Sequence, residues 1–162
     1  MNPDFLPFCR KLTPALTPAL ALATLVLATG PASAEQAPGH DRIHAFRLFT
    51  GPDGNSHVEE GTVTPGVPSA VDKIHFKTTA PHSSFDWHND PEPQYVLTLA
   101  GTLKFVTKTG ENFTLRPGDV LVAEDHTGTG HRWTMLGDQP WNRAYVVLAK
   151  AAKTAFVANP HR

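Results

Sequence analysis

Asp86-Trp87-His88-Asn89-Asp90-Pro91-Glu92-Pro93-Gln94 decides how this chain is read. Pro91 and Pro93 favour extended backbone and cannot donate ladder hydrogen bonds, so the stretch belongs at an edge or rim of a sheet. Positions 88, 90 and 94 share parity, and an extended chain turns His88, Asp90 and Gln94 toward one face. Downstream, Arg116-Pro117-Gly118-Asp119 is a turn feeding the apolar run Val120-Leu121-Val122-Ala123. That run ends in Glu124-Asp125-His126-Thr127-Gly128-Thr129-Gly130-His131. Glycine on both sides of Thr129 lets the backbone turn tightly and bring His131 back toward the sheet.

Around these two stretches, short β-branched and aromatic runs alternate with turn signals. Strands are expected at 43–49, 71–76, 94–99, 102–106, 113–115, 120–123, 132–136 and 143–148. Close spacing of many short strands reads as an all-β sandwich or barrel. A proline inside a helix costs about 3 kcal/mol, and Pro65, Pro68, Pro81, Pro91, Pro93, Pro117 and Pro140 leave the centre no room for a long one. Ala149 to Val157, with its Ala-Lys composition, is expected to form a short terminal helix.

Together the two stretches resemble the cupin motifs. His88-x-Asp90-x3-Gln94-x6-Gly101 keeps the spacing of the first motif, with Asp for its second histidine and Gln for its glutamate. Pro117-Gly118-Asp119 and Gly128-x2-His131 resemble the second, with a loop about two residues longer and Met135 where an asparagine is usual. Asp53-Gly54-x-Ser56-His57 and Glu124-Asp125-x-Thr127-Gly128-x-Gly130-His131 are also similar to small single-domain bacterial cupins, where a threonine is usual in place of His126. The resemblance spans residues 70–148 and implies a double-stranded β-helix, or jelly-roll, barrel over residues 43–162.

It also implies a divalent transition metal inside the barrel. His88 and His131 carry over unchanged as ligands, and Asp90 brings a carboxylate oxygen suited to iron, manganese, nickel or zinc. Two histidines and a carboxylate with open positions form the ligand set of non-haem Fe(II) oxygenases. Gln94 stands as a fourth, neutral donor or as a hydrogen-bonding group toward a bound molecule. Each has a plainer reading: barrel-mouth histidines at 88 and 131, and a cap of the Pro91 turn at Asp90. His126, beside two acids, reads as a surface salt bridge. His57, His75 and His82 have no spacing partner and read as structural or exposed. Trp87, Trp133 and Trp141 read as packing for the barrel and its rim.

The N-terminus reads as an export leader. Arg10 and Lys11 precede an Ala/Leu-rich apolar run from Leu12 to Ala28, and Ala32-Ser33-Ala34 fits a signal-peptidase site. The mature chain is expected to begin at Glu35, with residues 35–42 loose, in the periplasm or secreted. Pro14 and Pro18 interrupt the run, which is shorter than the roughly 20 residues a membrane span needs, so no stable anchor is expected after cleavage. Of 162 residues, removal of 34 leaves 128, enough for one core and too few for two. Loss of Asp4, Arg10 and Lys11 leaves 14 minus 2 Lys+Arg against 15 minus 1 Asp+Glu, a net −2 that argues against nucleic acid as partner.

The only cysteine, Cys9, falls in the leader, so disulfide and thiolate chemistry drop out, while all 9 histidines fall in the mature part. No Gly-x-Ser-x-Gly elbow, His-Glu-x-x-His helix or phosphate-binding Gly-x4-Gly-Lys loop occurs. Two functions remain. One is a metal-dependent enzyme of the cell envelope acting on a small polar substrate. The other is a small-ligand binding or sensing barrel without turnover, which the substitutions at 90 and 94 favour. An exposed strand edge is compatible with a homodimer.

Overall fold

The computed structural model of the protein describes residues 42–160. The expected leader, the segment that follows it up to residue 41, and His161 lie outside the described residues.

Eleven strands and no helix make up the described residues: β1 (Ile43–Thr50), β2 (Ser56–Val63), β3 (Val71–Thr79), β4 (Ser84–His88), β5 (Gln94–Ala100), β6 (Thr102–Thr107), β7 (Asn112–Leu115), β8 (Val120–Glu124), β9 (His131–Leu136), β10 (Trp141–Leu148) and β11 (Phe156–Ala158). They form a seven-stranded sheet, ordered β11-β2-β1-β8-β5-β10-β3, and a four-stranded sheet, ordered β4-β9-β6-β7. Strands β1 and β8 pair in parallel, and the other neighbours are antiparallel. The architecture is all-β and compatible with a β-sandwich or jelly roll.

Side-chain alternation explains how the sheets pack. In β9, His131, Trp133 and Met135 are buried while Arg132, Thr134 and Leu136 are exposed, the period of a strand with one wet face. The inward residues of β6, β7 and β9 meet Phe46, Leu48, Val96, Leu121, Ala123 and Trp141 of the larger sheet in the main core. Strand β8 is buried on both faces, because Val120 and Val122 join Ala45, Tyr95 and Leu148 in a second cluster behind the larger sheet. This is why its apolar run is continuous rather than alternating.

The segment after β10 covers that second cluster, and the terminal helix expected over Ala149 to Val157 does not form. Ala155 donates its N–H to the Tyr95 hydroxyl at 2.8 Å, and Ala152 and Phe156 pack on the cluster. The chain then adds β11 to the edge of β2. So short a helix is marginal on propensity alone, and burial against the sheet wins. Strands β2 and β4 also lie outside the runs expected from sequence. Strand β4 is nonetheless an edge, as the proline-rich rim reading requires.

Candidate functional site

Between the sheets lies a cavity of about 330 Å³, at the small end of the roughly 300–1,000 Å³ typical of ligand pockets. Phe105, Leu121, Val96, Trp133 and Trp141 give it apolar walls. His88, Asp90, Gln94 and His131 all line it, so the four residues singled out in the sequence are brought together.

A register slip positions His88. Strand β4 pairs with β9 through Ser84 with Thr134 and Phe85 with Trp133, but the next pair is His88 with His131. Three steps along β4 match two along β9, which is the one-residue excess of a β-bulge. Phe85 and His88, of opposite parity, consequently both line the cavity, with ring centroids 4.3 Å apart. Trp87 is exposed, with the Arg132 guanidinium 4.9 Å from its ring centroid.

Both imidazoles are oriented by their Nδ1 atoms. His88 Nδ1 donates to the Asp86 carbonyl at 2.7 Å, and His131 Nδ1 donates to Asp125 Oδ2 at 3.1 Å. A neutral ring held in this way presents the lone pair of Nε2. Burial lowers the His88 pKa against the opposing pull of the Asp86 carbonyl, which favours the neutral ring. The rings of His88 and His131 lie 4.3 Å apart.

Asp90 completes the group. Its backbone N–H donates to the Asp125 carbonyl at 3.0 Å, and its Oδ1 is 3.9 Å from His131 Nε2. Its Oδ2 is buried and has no partner. Neither oxygen accepts a hydrogen bond from the Pro91 turn among the described residues, so the cap reading of Asp90 has no geometric support. Burial, partly countered by His131, pushes the carboxyl up to about 6. Gln94 is buried between its register partners Ala123 and Val147.

Asp125 lies behind His131 and is fully buried. Its Oδ1 accepts from the Ser56 hydroxyl at 2.8 Å, and Ser56 Oγ in turn accepts the Gly130 N–H at 2.6 Å. Asn89 Nδ2 donates to the carbonyls of Asp125 and Gly128, which closes the 125–130 loop against the end of β4. The glycines of this loop are needed. Gly130 has φ +91°, and a Cβ there would stand 2.8 Å from the His88 carbonyl. A Cβ on Gly128 would meet Asp125 Oδ1 and Ser56 Oγ. The two short patterns containing Ser56 and Asp125 are thus one hydrogen-bonded unit. Their functional weight was not legible from spacing, since 69 residues separate them.

The larger sheet supplies polar residues that sequence reasoning did not single out. Strand β10 contributes Arg143 and Tyr145, and β3 contributes their register partners Lys77 and His75. His75, read as structural or exposed, is exposed, and it stacks on Tyr145 at 4.8 Å where it borders the cavity. His57 and His82 do have acidic partners, Glu111 and Asp138, distant in sequence. His126 is on an exposed loop as expected, but the salt bridge expected there is absent. Arg47 holds Glu124 at 2.6 Å and Asp125 turns inward, so His126 Nδ1 donates to the Glu124 carbonyl.

No group of three or more His, Cys, Asp or Glu side chains among the described residues is gathered closely enough to hold one ion. Compared with protein-family models and with curated proteins, the chain matches none.

Proposed function

We propose that this protein is a cupin-type barrel that binds a divalent transition metal through His88, His131 and Asp90 and takes a small polar molecule beside it. The observation that carries the reading is the orphaned, buried Asp90 Oδ2 in the same cavity as two imidazoles whose Nδ1 atoms are already engaged. A buried carboxylate oxygen without a partner is costly, and a cation or a proton relieves that cost. Asp125 behind His131 repeats the carboxylate–histidine arrangement that orients metal-bound imidazoles. A bound metal would polarise an oxygen of the bound molecule. Gln94 supplies a neutral amide beside it, and the aromatic walls limit the water that reaches it.

Ligand binding without metal is the second reading, and the lack of a closely gathered three-donor group among the described residues favours it. The leader-like N-terminus supports export to the periplasm or beyond. The exposed edge strand β3, with Ile74 and Phe76 uncovered, is compatible with a homodimer.

Elemental analysis of the protein purified from the compartment to which export is proposed tests the metal reading. One equivalent of iron, manganese, nickel or zinc supports it. A protein that is metal-free as isolated and binds none of these ions on titration sinks it.

A further inference from the structure

Arg143 is 2% exposed and lines the cavity. Its Nε donates to the Tyr145 hydroxyl at 2.8 Å, and its Nη1 donates to Thr79 Oγ1 at 2.9 Å and the Trp141 carbonyl at 3.2 Å. The guanidinium lies 3.6 Å over the Trp141 ring. All of these partners are neutral. Among the described residues no carboxylate lies within ion-pair distance of Arg143. Among the described residues Nη2 has no partner, and it is not one of the polar atoms sealed from solvent. On a residue so buried, its opening is into the cavity.

Orienting a guanidinium with neutral acceptors and leaving its charge unmatched in an apolar enclosure is costly unless something else supplies the anion. Burial indeed works against the charged form of Arg143. The other charged residues of the cavity do not supply that anion. Asp90 faces His131, and Glu92 pairs with Lys73 at 2.9 Å. Lys77, the register partner of Arg143 on β3, also borders the cavity but is exposed to water, which leaves Arg143 as the buried guanidinium of the lining.

We infer that the cavity's ligand is a small organic carboxylate, with its carboxylate on Arg143 Nη2 and its apolar body against Trp141 and Trp133. The inference rests on the cavity being a ligand site, and it extends that reading from a small polar molecule to an anion. A single buried guanidinium with aromatic walls suits a monoanion with an apolar body better than a compact, strongly hydrated phosphate. With Nε and Nη1 already engaged, Nη2 donates a single charge-assisted N–H bond to the carboxylate.

Calorimetric titration of the full chain with benzoate, hexanoate, their uncharged amides and inorganic phosphate tests the inference. Metal-chelated protein and protein supplemented with Mn²⁺ are compared. The expected result is that at least one carboxylate binds about tenfold or more tighter than its amide, the scale of a charge-assisted hydrogen bond. Arg143→Gln should abolish that preference and Arg143→Lys should keep part of it, each in a protein whose far-UV spectrum is unchanged. Equal binding of acid and amide, no binding of either, or tighter binding of phosphate than of both carboxylates overturns the assignment. The amide comparison uses the unaltered protein, so it stands even if the variants fail to fold. A chelated protein that prefers carboxylates but takes up none of iron, manganese, nickel or zinc removes the metal reading and leaves this one. Mn²⁺ uptake without carboxylate preference does the reverse.

Discussion

His88 and His131 are register partners across the β4–β9 ladder, with their ring centroids 4.3 Å apart. Their supports differ: His131 is 2% exposed and held by a buried carboxylate, whereas His88 is half-buried and held by a backbone carbonyl.

Replacing either histidine with Ala is therefore expected to remove most bound divalent metal, with unequal effects on stability. His131→Ala leaves Asp125 short of a donor in the interior, a loss of about 1–3 kcal/mol. His88→Ala should cost about 1 kcal/mol or less, because its Asp86 acceptor is exposed to water. His126→Ala should change neither property. Metal titration and thermal melts check both. Loss of metal in His126→Ala with retention in His88→Ala would reverse the site assignment.

Asp125→Asn is expected to weaken metal binding by about 10–100-fold while leaving the cavity residues themselves intact, the usual effect of losing an outer partner of a histidine ligand. Asp125→Ala should also lower stability by roughly 3 kcal/mol, since it strands Ser56 Oγ and His131 Nδ1 together. If Asp125→Asn binds metal as well as the parent protein does, Asp125 is only a folding element.

Gln94→Glu places a second carboxylate in the cavity with Asp90 at nearly constant volume. Lower melting temperature without metal and tighter, more pH-dependent metal binding are expected in the same variant. The two carboxylates repel until a cation joins them. Melts and titrations that leave both quantities unmoved would separate residue 94 from the metal.

His57 offers a pH test remote from the cavity. Its pKa is raised from the ordinary 6.5, chiefly by Glu111 and then by Asp53. A raised folded pKa contributes stability that is complete below about pH 6.5 and disappears as pH rises through the folded value. His57→Gln should accordingly lower the melting temperature more at pH 5.5 than at pH 8.5, by roughly 1–3 °C for so exposed a pair. An equal shift at both pH values would mean the ring acts by packing against Phe49 rather than by charge.

The strands with clean apolar periodicity were legible in the sequence, and the boundaries of β5 to β10 follow from them. Strand β2 was not. Ser56-His57-Val58-Glu59-Glu60-Gly61-Thr62-Val63 is polar at most positions: Glu59 and Glu60 pair with Arg47 and His44 of β1, and Phe156 lies over Gly61. The terminal helix was misread because composition reports propensity, while the fate of Phe156 depends on an apolar surface behind the sheet. That His88, Asp90 and Gln94 share one cavity was legible because their spacing is local, and His131 joined them through the glycine-flanked loop that returns it to the sheet. Asp125 and Arg143 were not. Adjacent Glu124 and Asp125 look alike in sequence, yet strand geometry sends one to Arg47 outside and the other to His131 inside. Arg143 reads as an ordinary polar residue of a strand until the sheet shows that no carboxylate among the described residues pairs with it.

The bulge in β4 frees the facing of His88 from strict alternation along its strand. At the present length without the bulge, Trp87, not His88, would stand opposite His131, and the histidine would turn to water. Deleting a single residue from Asp86-Trp87 would leave two steps on each strand between the Phe85–Trp133 and His88–His131 pairs, so the ladder would become regular with His88 still inward. A one-codon deletion there would keep the histidine in place, whereas the native length holds it only through the bulge.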